Sequence, residues 1–155
     1  MSLSFHFTRP SLERTPLIFL LSGGANGIGA STVRFLHEAG ASIVGDLDTN
    51  AAENLFSSLS NPSTITFLRT DVTKYGNNIA LFKTALQKHG CVDHALACAG
   101  IIEQGKWFDP ELTIETVEKE ETRLVLDVNL VRTCMFARIA VVYLKHEKKG
   151  VRTRA

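Results

Sequence analysis

Three glycines, Gly23, Gly27 and Gly29, follow an apolar run and open a stretch of helical periodicity; an aspartate, Asp46, stands 17 residues beyond the last of them. Glycine at a tight turn can take a backbone conformation closed to other residues. Glycine in the first turn of a helix lets an anion approach free N–H groups, and the helix dipole adds a partial positive charge there. Those are the requirements of a pyrophosphate seat. A carboxylate at the end of the next strand, where Asp46 falls, would accept hydrogen bonds from the hydroxyls of an adenosine ribose and repel a 2′-phosphate. No arginine adjoins it along the chain. The pattern points to an adenine dinucleotide, NAD preferred and NADP admitted second. Two plainer readings compete: the glycines only let a strand turn into a helix, and Asp46, with Asp48 close by, only caps the following loop.

Two rival sites can be weighed on the same residues. A triphosphate loop needs Gly-Lys-Ser/Thr at its end, and this turn continues as Gly29, Ala30, Ser31, which excludes it. Methyltransferases that use S-adenosylmethionine share an acidic residue after the second strand. Their glycines usually alternate, whereas those here are spaced by four and then two.

The elements that must position these residues follow from periodicity. LIFLL (17–21) has no polar face and reads as a buried strand. Ile28, Val33 and Leu36 mark one side of a helix, with Gly40 placed to end it. SIVG (42–45) is a second strand; Asp48 or Thr49 can cap a helix carrying Ala52, Leu55, Phe56 and Leu59. TITFL (64–68) is a third strand, and Ile79, Phe82 and Leu86 mark a helix closed by Gly90. HALA (94–97) is a fourth strand. Alternation at this rhythm predicts an α/β fold: a Rossmann-like doubly wound parallel sheet, incomplete, with about four strands and flanking helices. The longest helix carries Leu124, Val128, Val131, Met135, Ile139 and Val142 as its apolar stripe, with lysines crowding its last turn before Gly150. Residues 1–16 read as a flexible arm, 17–149 as a partial NAD(P)-binding domain, and 150–155 as an irregular tail.

At 155 residues, 45% apolar, 21% charged and net charge +1, the chain is one soluble domain. Neither nucleic acid nor a membrane is expected as partner. The basic residues Lys145, Lys148, Lys149, Arg152 and Arg154 read as a solvated helix end. Cys91, Cys98 and Cys134 form no Cys-x-x-Cys pair, and the five histidines are scattered, so reduced structural thiols and no metal site are expected. The run 17–21 is too short for a secretory core or a membrane span. The expected location is the cytoplasm.

Taken together, the motifs resemble those of the short-chain dehydrogenase/reductase family over roughly residues 17–149. SGGANGIG is similar to its Thr-Gly-x-x-x-Gly-x-Gly motif, with Ser22 in place of threonine. The resemblance assigns Ser22, Gly23, Asn26, Gly27, Ile28 and Gly29 to the cofactor, and Asp71 and Val72 to the adenine ring. Cys98, Ala99 and Gly100 stand where the family has Asn-Ala-Gly, and Asn129 in DVNL falls at the asparagine of its catalytic tetrad. Cys98 is a departure, because a thiol replaces poorly the hydrogen bonds of an amide. Nothing nearby in sequence would activate it, so it reads as a packing residue.

The resemblance implies hydride transfer between NAD(P) and a secondary alcohol or ketone, in members that often serve specialised metabolism. The family's proton transfer uses a tyrosine, a lysine four residues later and a serine. Tyr143 is followed at that distance by Glu147, with Lys145 only two residues on, so it reads as a core or surface aromatic. The sequence reads as ending, at GVRTRA, before the segment that carries those groups, and residues 1–155 alone are expected to be a poor catalyst. In the family's strand order 3-2-1-4-5-6 the fourth strand would then be an exposed edge, open to another chain such as a second copy. A non-catalytic dinucleotide-binding or interaction module is the alternative. Trp107 and Phe108 either wall a hydrophobic substrate or, the plainer reading, pack a short helix onto the sheet.

Overall fold

Strand period two decides how this sheet is buried. β1 (Leu17–Ser22) sends Leu20 to one face and Phe19 and Leu21 to the other, and every residue after Leu17 is buried. The computed structural model describes residues 16–103, 107–118 and 123–145. After β1 come α1 (Gly27–Leu36), β2 (Gly40–Asp46), α2 (Thr49–Ser57), β3 (Ile65–Arg69), α3 (Tyr75–His89) and β4 (His94–Ala97). A single-turn α4 (Ile114–Val117) is followed by a nearly continuous helix: α5 (Leu124–Leu126), a π-helical stretch (Asp127–Arg132) and α6 (Thr133–Leu144).

All strand pairs are parallel, in the order β3-β2-β1-β4. Leu20 lies opposite Ile43 on one side and Ala95 on the other. Each face has its own core. Leu20 and Ile43 meet Leu81 and Phe82 of α3 and Phe136 and Ile139 of α6. Phe19, Leu21 and Val44 meet Val33 of α1 and Leu55 of α2. Helices on both faces make the sheet doubly wound, the incomplete α/β architecture that the alternation predicts. Tyr143 packs into the first core with its ring 5.0 Å from that of Phe82, as the core-aromatic reading expects.

Several details differ from the sequence reading. Ile28 is 82% exposed rather than on the buried side of α1, which Gly29, Ala30 and Val33 form instead. Gly40 opens β2 instead of ending α1; a side chain there would run into the Leu17 backbone across the parallel pair. β3 begins one residue later than expected, after a 3-10 turn at Pro62–Thr64. Asp48, not Thr49, caps α2, accepting the Ala51 amide at 2.9 Å. Trp107 and Phe108 stand in a turn rather than a helix, and Phe108 is 94% exposed. Along the last helix Val128, Phe136, Ile139 and Ala140 are buried, while Leu124, Val131 and Val142 face outward. The π turn adds a residue and shifts the phase of a stripe counted at 3.6 per turn. Apart from Pro16, the expected arm lies outside the described residues, as do Lys148, Lys149, Arg152, Arg154 and the tail.

Candidate functional site

The strand order reverses at β1: β2 and β3 follow on one side and β4 on the other. In open parallel sheets the crevice beyond the C-terminal strand ends at such a point is where ligands sit. The glycine turn lies there. The Gly23 and Gly24 amides donate to the Gly45 carbonyl at 2.7 and 3.3 Å, which ties the turn to the end of β2. Gly23 has φ +69°, and a Cβ on it would lie 2.7 Å from the Cys98 carbonyl carbon and against the Ala99 backbone. A Cβ on Gly29 would lie 2.8 Å from the Gly23 carbonyl carbon, nearer still to its oxygen, and 3.0 Å from the Gly24 Cα. The helix therefore starts directly on the turn. Gly27 has φ +53° and open space where its side chain would be.

Ala30 carries the first amide bonded within the helix, to the Asn26 carbonyl at 3.0 Å. Asn26 makes no side-chain cap, so the amides of Gly27, Ile28 and Gly29 have no capping side chain among the described residues.

Asp46 sits across from these amides. One carboxylate oxygen accepts the Ala25 amide at 2.9 Å, and the other accepts the Asp48 amide at 3.0 Å. Asp48 in turn holds Ala51 and, at 3.4 Å, the Asn26 side-chain amide. Loop capping by Asp46 is thus observed, and it leaves lone pairs on both oxygens for a further donor. The sheet also supplies what the chain sequence hides: Arg69 is the register partner of Asp46 on β3, although no ion pair joins them among the described residues.

Asp71 and Val72 follow β3 at the same edge. The Asp71 carboxylate accepts the Thr73 hydroxyl at 2.6 Å and the Thr73 amide at 2.9 Å. The hydroxyl bond chiefly holds this carboxyl below its ordinary range; the amide and the positive charges of Lys74 and Arg69 act in the same direction, against partial burial. Two residues that the sequence reading missed fix this loop. Asn77 accepts the Asp71 amide at 3.0 Å, and Asn78, 1% exposed, donates to the Val72 carbonyl at 2.9 Å. Polar side chains five and six residues beyond Val72 carry no pattern that would single them out.

At the end of β4 the Cys98 amide donates to the Ser22 carbonyl at 2.9 Å. Burial pushes the Cys98 thiol up, which agrees with a packing role. Ser22, Val72, Ala97 and Ala99 line a shallow cleft with Val128, Arg132, Thr133 and Phe136 of the long helix. Asn129, in the π stretch, donates from Nδ2 to the Ile101 carbonyl at 2.8 Å and accepts the Ile101 amide on Oδ1 at 2.9 Å. A Cβ on Gly100 would lie 3.3 Å from that Oδ1. The residues singled out by sequence thus converge on one end of the sheet.

The family model of short chain dehydrogenases matches residues 18–151. The chain belongs to the short-chain dehydrogenase/reductase family. It is 32% identical over 134 residues to the short-chain dehydrogenase/reductase ascJ of Acremonium egyptiacum, covering 86% of this chain and 43% of that protein. It is 34% identical over 134 residues to (+)-borneol dehydrogenase 1 of Salvia officinalis, covering 86% of this chain and 49% of that one. Among solved structures, an NADH-dependent reductase A1-R′ complexed with NAD shares the fold at a TM-score of 0.65 and 20% identity, with 83% of this chain and 52% of that chain covered. The chain spans about half the length of the curated relatives it matches.

Proposed function

We propose that this short-chain dehydrogenase/reductase chain holds a nicotinamide dinucleotide across the crevice, with NAD preferred over NADP. It would serve as the cofactor-holding part of an oxidoreductase acting on a secondary alcohol or ketone. The observation that carries the reading is the pairing of an uncapped α1 N-terminus with the Asp46 carboxylate at the end of β2. The donor set fits such a cofactor. The amides of Gly27, Ile28 and Gly29 suit the pyrophosphate, and the open space at Gly27 lets it approach. The free lone pairs of Asp46 suit the ribose hydroxyls, and its charge disfavours a 2′-phosphate even with Arg69 on the next strand. Val72 and Asp71 border the adenine end, while Gly100, Ile101 and Asn129 border the far end, beyond β4.

When bound, the cofactor supplies the hydride donor or acceptor. The residues of this chain orient it and shape one wall of the substrate space. Neither tyrosine, Tyr75 or Tyr143, has a lysine four residues later, so the proton-transfer pair of the family is not among these residues. For these residues by themselves the second reading is a dinucleotide-binding module without turnover.

Calorimetric titration of the purified chain tests the first claim. NAD should bind saturably, and Asp46→Asn should lower the NAD-to-NADP affinity ratio by about tenfold, the worth of one charge-assisted hydrogen bond. A folded chain that ignores NAD at about 1 mM, near −4 kcal/mol, sinks the proposal. NAD-dependent oxidation of any secondary alcohol would exclude the module reading.

A further inference from the structure

The residues on either side of Asn129 form an ion pair of unusual spacing. Arg132 donates from Nε and Nη2 to one Asp127 oxygen at 3.1 and 3.0 Å, and Nη2 lies 2.8 Å from the other oxygen. The two side chains are 26% and 33% exposed. On an α-helix the partners that share a face are three or four residues apart, and residues five apart diverge. The π stretch Asp127–Arg132, built on i to i+5 periodicity, brings them together. A regular α-helix here would swing Asn129 round by about one residue, roughly 100°, and take its amide off Ile101.

We propose that Asp127 and Arg132 are positioning residues: their ion pair selects the π turn and thereby holds Asn129 on the Gly100–Ile101 backbone. Asn129 meets both the N–H and the C=O of Ile101, so its side chain tolerates no re-phasing of the helix. Arg132 also lines the cleft with Ser22, Val72 and Ala99, so the pair steadies the wall on which β4 ends. Charge, spacing and backbone form agree.

Hydrogen exchange of the full chain reads the Ile101 amide directly, with the sheet-core amides of Leu20 and Val44 as internal references. Asp127→Asn and Arg132→Met should each speed Ile101 exchange about fivefold relative to the references, the upper range for a partly exposed pair. The double variant should be no faster than either single one, because the two residues act as one device. Single variants with unchanged Ile101 exchange, or effects that multiply in the double, overturn the proposal. If a variant loses protection at Leu20 and Val44 as well, the wild type decides. Raising salt from about 0.1 M to about 1 M screens the pair and should speed Ile101 alone, and an equal response at all three amides overturns the idea.

A ligand arm rests on the dinucleotide reading. Either variant should weaken NAD binding about fivefold and AMP binding clearly less, since the pair acts through Asn129 at the far end of the crevice; equal weakening of both would make it merely structural and overturn the claim. A wild-type chain that binds neither ligand refutes the proposed function and leaves the exchange test to decide the ion pair.

Discussion

Gly27 and Gly29 stand two residues apart in the first turn of α1, and alanine should do different things at each. At Gly29 a Cβ meets three backbone atoms, with the Gly23 carbonyl carbon at 2.8 Å and the Gly24 Cα at 3.0 Å. Comfortable carbon contacts lie near 3.5–4.0 Å, so the helix start must lift off the turn by about 1 Å. No flexible side chain can swing aside. Overpacking of this kind costs about 1–3 kcal/mol, and three close backbone atoms of the turn place Gly29→Ala at about 3. At Gly27 nothing lies within 4 Å, and the burden is the left-handed backbone, φ +53°, worth about 1–2 kcal/mol.

Urea unfolding of the two variants should therefore separate them by at least about 1 kcal/mol, with Gly29→Ala the weaker. Binding should show the second difference. Gly27→Ala stays folded, yet its methyl group fills the space that the amides face, so NAD affinity should fall by about tenfold or more. Equal stabilities would mean that α1 does not sit on the turn. A folded Gly27→Ala chain with undiminished NAD affinity would refute the anion seat.

Two further outcomes follow from the side chains around the crevice. The Asp71 carboxyl is held below its ordinary value of 3.8, so it stabilises the fold above that value, and this contribution is lost as pH falls through the lowered one. The stability difference between wild type and Asp71→Asn should be flat from about pH 5 to about pH 7 and shrink below about pH 4; a gap unchanged in acid would contradict the Thr73 bonds. Alkylation near pH 8 should label exposed Cys134 about tenfold faster than Cys98, whose thiol burial pushes up, and comparable rates would refute the packing role.

Much of the fold was legible because local chemistry and global position agree. LIFLL has no polar face and becomes an inner strand of the sheet; Gly90 closes α3 in the left-handed conformation with φ +73°. Asp48, one of two residues able to cap α2, accepts the Ala51 amide. Failures occur where a distant element intervenes. Gly40 has the composition of a helix stop, and its role is set instead by the Leu17 backbone on the neighbouring strand. The apolar stripe of the last helix fails at Leu124, Val131 and Val142, which are exposed while Val128 and Ile139 are buried; a π turn interrupts the count, and Asp127, Asn129 and Arg132 within it contribute nothing to hydrophobic periodicity.

The site divides in the same way, and the division has a consequence for interpreting mutations. Its glycines and carboxylates could be identified by type and spacing, but the bonds that assemble the crevice run from side chains to backbone. Asp46 to Ala25, Asn78 to Val72 and Asn129 to Ile101 link residues 21, 6 and 28 apart in sequence. A side-chain pattern does not announce which backbone group will need a partner. Once formed, these bonds hold the turn, the adenine-end loop and the β4 exit without a ligand, so binding spends little on ordering them. The same atoms then serve stability and recognition. Asp46→Ala would strand the Ala25 amide, in a residue that is 4% exposed, at a cost of about 1–3 kcal/mol before any ribose contact is lost. Asp46→Asn, which keeps an acceptor for one of the two amides, separates the two roles better. Any loss of NAD selectivity beyond its loss of stability then belongs to the cofactor contact.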